Sequence, residues 1–251
     1  MIALSVNLNK IALIRNSREG NYPDVVAHGR TCLDAGADGI TVHPRPDQRH
    51  IRPDDVRGLA ALCQSRTVEF NVEGNPFADA MGTYPGLLPL VLETQPQQCT
   101  LVPDSNDQLT SDHGFDLDRD GQRLEPIIQS LKVAGIRVSL FMDPDLDQIT
   151  RAREVGADRI ELYTGPYADA VTRQSPEIER IFATHCAAAE HALTLGLGVN
   201  AGHDLNLINL PRYRTLPGLQ EVSIGHALTV DALSMGLSNA VNAYVNCLAG
   251  K

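Results

Sequence analysis

The sequence predicts an α/β chain closed into a (β/α)8 barrel, and three observations predict it. Eight short β-branched runs recur along 251 residues, which is the rhythm and size of that fold. Amphipathic stretches of helical length lie between them. A nearly identical helix-to-strand junction is used twice, as Asp34-Ala35-Gly36-Ala37-Asp38 and Glu154-Val155-Gly156-Ala157-Asp158. A doubly wound open sheet is the competing architecture. It usually has fewer strands and a glycine-rich first turn, and no G-x-G-x-x-G or Walker A sequence occurs.

In chain order, the predicted strands are Ala3–Val6, Asp38–His43, Thr67–Glu73, Gln98–Val102, Ile136–Phe141, Asp158–Tyr163, Leu197–Asn200 and Glu221–Ile224. Each is short, apolar and bounded by polar or glycine-containing turns. Predicted helices include Asp24–Ala35, Pro53–Gln64, Asp145–Val155 and Glu177–Leu195, where apolar residues recur at helical spacing. Glycines at 36, 135, 156 and 196 stand where a helix ends before the next strand. The long irregular stretch is Pro103–Asp118, polar and rich in Gly and Asp. Loops of that length are commonly active-site lids, the alternative being a disordered surface loop. No linker, low-complexity segment or shift in composition divides the chain, so residues 1–251 read as one barrel domain.

Composition narrows the function. Lys plus Arg number 21 against 31 Asp plus Glu, a net charge of −10. Such a chain is a poor nonspecific ligand for nucleic acid or anionic membranes, so an anionic substrate requires a local basic pocket. The five cysteines are widely spaced and never form a C-x-x-C pair. That pattern points to reduced thiols in the cytoplasm. The first residues lack the basic and apolar regions of a signal peptide, and no apolar run approaches a membrane span.

The basic pocket has a candidate in Gly39–His50. The run Gly39-Ile40-Thr41-Val42 reads as a buried strand, and Pro44 and Pro46 then forbid helix and central strand alike. Into this stiff turn are packed His43, Arg45, Arg49 and His50, the composition of an anion site with a general base. A solvated basic loop is the alternative. Active sites of barrels lie at the C-terminal ends of the strands. Reading those ends gives Asn7, His43 with Arg45, Glu73, Glu161, His203 and Gly225-His226. Glu73 and Glu161 alternate with apolar residues taken to face inward, which favours buried carboxyls with raised pKa; an internal ion pair with Arg is the alternative. Asp204 follows His203 on a glycine-flexed turn and suits a helix cap. Gly225-His226 places backbone N–H groups at a helix start, a phosphate cradle, and Arg18 adds a cation from the first loop. His28, His113, His185 and His191 are read as structural. No metal is expected: H-x-H and H-E-x-x-H are absent, and arginines beside His43 repel a cation.

Taken together, Val6-Asn7, Arg15-Asn16-Ser17-Arg18, Ala37 through His43 with Arg45 and Arg49-His50, Asn71-Val72-Glu73, Leu101-Val102-Pro103, Val138–Phe141, Ile160-Glu161 with Thr164-Gly165 and Tyr167-Ala168, Val199–His203 and Ile224–Ala227 resemble the pyridoxine 5′-phosphate synthase family. The likeness runs from near the first residue to the last helix. It implies a (β/α)8 barrel with extra helices, assembled as an octamer built from dimers, that needs no cofactor. It further implies condensation of 1-deoxy-D-xylulose 5-phosphate with 3-amino-2-oxopropyl phosphate to pyridoxine 5′-phosphate, phosphate and water. By position in the motifs, His43 and Glu73 resemble the proton acceptors, His203 the donor and Glu161 the transition-state stabiliser. Asn7, Arg18 and Gly225-His226 match the residues that hold the amino-ketone phosphate, and Arg45, His50 and Thr110 those that hold the deoxyxylulose phosphate. Arg49 is left structural. The chain departs from the family where Asp-His is common and Asn9-Lys10 stands, and where Gly is common and Asp204 stands. Asn9 can hydrogen-bond sugar hydroxyls and Lys10 can present a charge to phosphate. Two rivals are a sugar-phosphate lyase or isomerase with Lys10 as nucleophile, and a phosphate-ligand binding barrel without catalysis.

Overall fold

The computed structural model describes residues 1–105 and 107–251. The elements run β1 (Ala3–Asn7), α1 (Asn9–Asn16), α2 (Val25–Asp34), β2 (Gly39–Val42), α3 (Pro53–Arg66), β3 (Glu69–Gly74), α4 (Leu87–Thr94), β4 (Gln98–Leu101), α5 (Leu117–Val133) and β5 (Arg137–Met142). They continue with α6 (Leu146–Glu154), β6 (Arg159–Tyr163), α7 (Gly165–Thr172), α8 (Ile178–Thr194), β7 (Gly198–Gly202), α9 (Leu210–Tyr213), β8 (Leu219–Ile224), α10 (His226–Met235) and α11 (Leu237–Leu248). The strands pair in sequence order, all parallel, and β8 closes on β1, as the (β/α)8 reading requires. All eight predicted strands form, with no end displaced by more than two residues. Strand β7 extends to Gly202, and β8 begins at Leu219.

Two expectations need correction. Sequence spacing treated the residues after the first strand as loop, whereas Asn7 Oδ1 accepts the Asn9 N–H at 3.0 Å and a helix starts there. Likewise the irregular stretch after the fourth strand ends at Asp116, two residues early. That carboxylate accepts the Arg119 N–H at 3.3 Å and caps α5. Asn106, within this stretch, lies outside the described residues. The repeated junctions behave alike: Gly36 and Gly156 adopt φ of 98° and 95°, the left-handed turn that ends α2 and α6.

The interior of the barrel departs from the sequence expectation most. The apolar strand residues, among them Val6, Ile40, Val72, Leu101, Leu140, Ile160, Ala201 and Val222, belong to the core packed under the helices. The alternate residues face the barrel axis and are mostly polar, Phe141 and a few glycines being exceptions. Ser5 and Thr41 share a 2.6 Å hydrogen bond, Thr100 donates to Asn71 at 3.1 Å, and Arg159 donates to Asn200 at 3.0 Å. Gln98 on β4 reaches Glu221 on β8 at 3.5 Å, a contact that only axial side chains can make. Glu73 and Glu161 thus alternate with outward apolar residues and have polar neighbours inside. The Arg–Glu pairs considered for them occur elsewhere: Arg137 pairs with Glu69, and Arg159 with Glu221 at 3.3 Å.

Helix α1 fixes the loop that follows β2. Arg15 is fully buried, pairs with Asp55 and donates to the His50 carbonyl at 2.9 Å. Asn16 donates to the carbonyls of Gln48 and His50 at 3.1 and 2.8 Å. Asp55 in turn accepts the Arg52 N–H at 2.8 Å, where α3 begins. A buried pair of this kind is costly to break because the remaining charge is stranded. We therefore expect Arg15→Leu to lower stability by about 3–5 kcal/mol in urea unfolding, with the Arg/His loop losing order.

Candidate active site

The C-terminal ends of the strands surround a cleft of about 340 Å³. Of the sequence-predicted site residues, Asn7, Asn9, Lys10, His43, Arg45, His50, Glu73, Thr110, Glu161, His203, Asp204, Gly225 and His226 all line it. Arg18 does not, because α1 carries the chain away and leaves Arg18 exposed beyond its far end. Arg49, read as structural, lines the cleft while donating to the Gln108 carbonyl at 2.8 Å and to Asp47 at 2.7 Å.

His43 sits between two carboxyls: Glu73 Oε2 lies 3.9 Å from Nδ1, and Asp104 Oδ2 lies 3.8 Å from Nε2. Burial holds its imidazole well below the usual histidine range, and Arg45, His50 and Arg49 add to the effect. The ring is neutral and competent to take a proton. Asn9 Oδ1 anchors the His43 N–H at 2.9 Å, so one substituent of α1 fixes the end of β2. His50 accepts the Ile51 N–H on Nδ1 at 3.0 Å, and burial pushes it down to about 3. The single proton of that neutral ring therefore sits on Nε2, available as a donor.

Glu73 is raised well above the usual carboxylate range by burial, with the neighbouring Glu161 and Asp104 carboxyls adding to the shift. Asn7 Nδ2 approaches it at 3.4 Å. Glu161 is pushed up to about 7 by burial. A carboxylate generated in such a place is a stronger base than one in water. Gly202 is what admits Glu161, since a Cβ at residue 202 would overlap Oε1 of that carboxyl.

On the far strands His203 and Asp204 both take left-handed backbone, φ 82° and 57°, a conformation seldom seen outside glycine. Thr164 Oγ1 donates to the Gly202 carbonyl at 2.6 Å and to that of His203, holding this turn. Asp204 Oδ2 stands 3.0 Å from His203 Nδ1, near enough for ion pairing though not aligned as a hydrogen bond. His203 Nε2 meets Thr110 Oγ1 at 2.6 Å, and its ring packs edge-on against Tyr163 at 5.4 Å. The loop between β4 and α5 thus lies over the cleft. Helix α10 opens at His226 with no side-chain cap, leaving its first N–H groups to face the cleft beside Gly225.

Sequence reasoning missed Asp104, Phe141 and Ser223. Phe141 and Ser223 line the cleft, and Asp104 is buried against Arg45. The only signal for Asp104 was a carboxylate just past a strand end, and for the others their place at the ends of the fifth and eighth strands. The histidines read as structural lie outside the cleft lining: His185 bonds Tyr213 at 2.8 Å and His191 bonds Thr150 at 2.7 Å. Among the described residues no three His, Cys, Asp or Glu side chains form a metal-ligand set.

The model of the family described as pyridoxal phosphate biosynthesis protein PdxJ matches residues 4–250. The pyridoxine 5'-phosphate synthase of Xanthomonas axonopodis pv. citri (strain 306) is 56% identical over 246 residues, covering 98% of this chain and 96% of its own. That of Xylella fastidiosa (strain 9a5c) is 54% identical over 247 residues, covering 98% and 94%. Among solved structures, tryptophan synthase from M. tuberculosis aligns with a TM-score of 0.64 at 12% identity, over 98% of this chain and 92% of that one. Thiamine phosphate pyrophosphorylase from Pyrococcus furiosus aligns at 0.61 and 13% identity, over 99% and 96%. These structural likenesses concern the fold alone.

The Glu161 carboxyl generates a pH dependence with a definite sign. Its folded value of about 7 exceeds the ordinary 4.5, so folding takes up a proton in that window. The associated stability is complete below about 4.5 and is lost as pH rises through about 7. Urea unfolding at pH 5 and pH 8 is expected to show a smaller loss in Glu161→Gln than in the parent, by about 1 kcal/mol or more.

Proposed function

Because the chain belongs to the pyridoxal phosphate biosynthesis protein PdxJ family, we propose that it is a pyridoxine 5′-phosphate synthase whose reaction runs in this cleft. It joins 1-deoxy-D-xylulose 5-phosphate to 3-amino-2-oxopropyl phosphate and closes the pyridine ring, releasing phosphate and water. The observation that carries this reading is convergence: His43, Glu73, Glu161 and His203 share one cleft with cations and free helix N–H groups. Ring closure with successive dehydrations needs acids and bases acting in turn on substrates held by their phosphates.

In this reading His43 and Glu73 accept protons, the first as a neutral imidazole and the second as a buried carboxylate. His203 donates, its Nε2 being the ring atom that meets the Thr110 hydroxyl of the cleft lining. Glu161 stabilises cationic character that develops on the condensing nitrogen. Arg45, His50 and Thr110 hold the deoxyxylulose phosphate, with Asn9, Lys10 and Asp204 around its sugar portion. Asn9 has Oδ1 committed to the His43 N–H, so its amide group is the part left to meet hydroxyls. The N–H groups after Gly225, with His226 and Asn7, hold the amino-ketone phosphate.

Arg18 is exposed and outside the cleft of a single copy, so a role for it in binding requires self-association. The exposed Leu13 and Ile14 on α1 and Val230 and Leu233 on α10 offer apolar surface for it, and an octamer built from dimers is the assembly we infer. The setting is the cytoplasm, consistent with cysteines that are all free. Among the described residues no helix is long and apolar enough to cross a membrane.

Purified protein given both substrates is expected to form pyridoxine 5′-phosphate, followed by its absorbance and mass; folded protein that yields none defeats the reading. His43→Ala and Glu73→Gln are each expected to lower kcat about 100-fold or more, and near-parent rates in both would remove them from the chemistry.

A further inference from the structure

Asp104 has no part in the mechanism above, yet it is among the most constrained carboxyls of the molecule. Its side chain is 3% exposed at the root of the loop that covers the cleft. Oδ2 pairs with Arg45 Nη2, accepts Ser111 Oγ at 2.9 Å and stands 3.8 Å from His43 Nε2. Oδ1 is buried with no hydrogen-bond partner among the described residues. Buried carboxylate oxygens are seldom left so, because the lost hydration is not replaced. The other terminal nitrogen of Arg45 donates to the carbonyls of Ser105 and Gln108 at 3.4 Å each. Both forks of the guanidinium that the reading above gives to a phosphate are thus occupied by the loop.

A phosphate cannot take Arg45 in the bidentate manner while Asp104 holds it, since the two anions compete for one fork. We infer that Asp104 is a positioning residue that occupies Arg45 until the sugar phosphate displaces it, and then moves its charge to His43 Nε2. The titratable and charged groups facing His43 are Glu73 from β3, Arg45, Arg49 and His50 from the loop after β2, and Asp104 from after β4. Arg45, Arg49 and His50 disfavour an imidazolium there. Exchange of Arg45 onto phosphate cancels part of that opposition and frees a carboxylate less than 4 Å from the ring, so that His43 becomes a stronger base when substrate is present. The unpartnered Oδ1 supplies the second acceptor for that new arrangement.

This inference rests on the assignment of Arg45 to phosphate, and the tests separate the two. Calorimetry of the full chain with 1-deoxy-D-xylulose 5-phosphate alone, and with inorganic phosphate alone, is expected to show Asp104→Asn binding both at least about threefold tighter, since the competitor is gone. The same variant is expected to lose kcat about tenfold, with the acidic limb of its kcat profile displaced to lower pH as His43 loses its counter-charge. Asp104→Glu, which keeps the charge, is expected to leave that limb near the parent position. If Arg45→Ala binds phosphate as the parent does, the assignment of Arg45 fails and the exchange fails with it. If Arg45→Ala loses phosphate while Asp104→Asn binds and titrates like the parent, the exchange alone is overturned. Should Asp104→Asn not fold, a structure of the parent with inorganic phosphate decides: Arg45 on phosphate with Asp104 turned to His43 supports it, and an intact Arg45–Asp104 pair beside bound phosphate overturns it.

Discussion

Taking a carboxyl group out of water is expensive unless it is paired, hydrogen-bonded or protonated, and that cost governs the mouth of this barrel. Glu73, Glu161 and Asp104 are all buried there within one electrostatic neighbourhood. All three hold protons more tightly than exposed carboxyls do because of that burial, and at Asp104 the Arg45 guanidinium offsets part of the cost. The histidine between them meets it in the opposite sense, by staying neutral. Groups with raised and lowered proton affinity therefore lie side by side, the contrast being set by burial and neighbouring charge.

The polar barrel interior makes this arrangement tolerable. In many barrels aliphatic layers fill the axis, and a carboxyl at the top would then sit on hydrocarbon. Here hydrogen-bonded Ser, Thr, Asn and Gln side chains continue below the cleft to the Arg159–Glu221 pair. The apolar core is displaced to the layer between strands and helices, so the fold retains its hydrophobic stabilisation while leaving its axis to hydrogen bonds.

How much of this was legible in the sequence follows from the range of each interaction. Strands and helix ends depend on local patterning, and the eight runs with their glycine junctions sufficed to give the closed barrel. The strand-end residues His43, Glu73, Glu161 and His203 were readable because the fold dictates where such ends converge. What could not be read were features set by distant partners. The sense in which Glu73 alternates depends on seven other strands, and the helix from Asn9 depends on an Asx turn that ordinary periodicity does not register. Arg49 looked structural, yet the loop bearing Gln108, some sixty residues later, draws it into the cleft wall. Asp104 escaped notice because its significance lies wholly in Arg45 and His43, contributed by a different strand.

Helix α1 has a consequence for how such a cleft can be inherited. Through Asn9 it holds the end of β2, and through Arg15 and Asn16 it holds the loop that follows. Every cation and imidazole of that side, Lys10, His43, Arg45, Arg49 and His50, is therefore set within the first two βα units, while the carboxyls Glu73, Asp104 and Glu161 all arrive later in the chain. The cations and imidazoles around Arg45 are concentrated in an N-terminal cassette, and the carboxyls, with the N-terminus of α10, come from the remainder. A descendant that exchanged or duplicated that cassette could alter which phosphorylated sugar it accepts while keeping the acids of its ancestor, so the two properties are free to diverge at different rates.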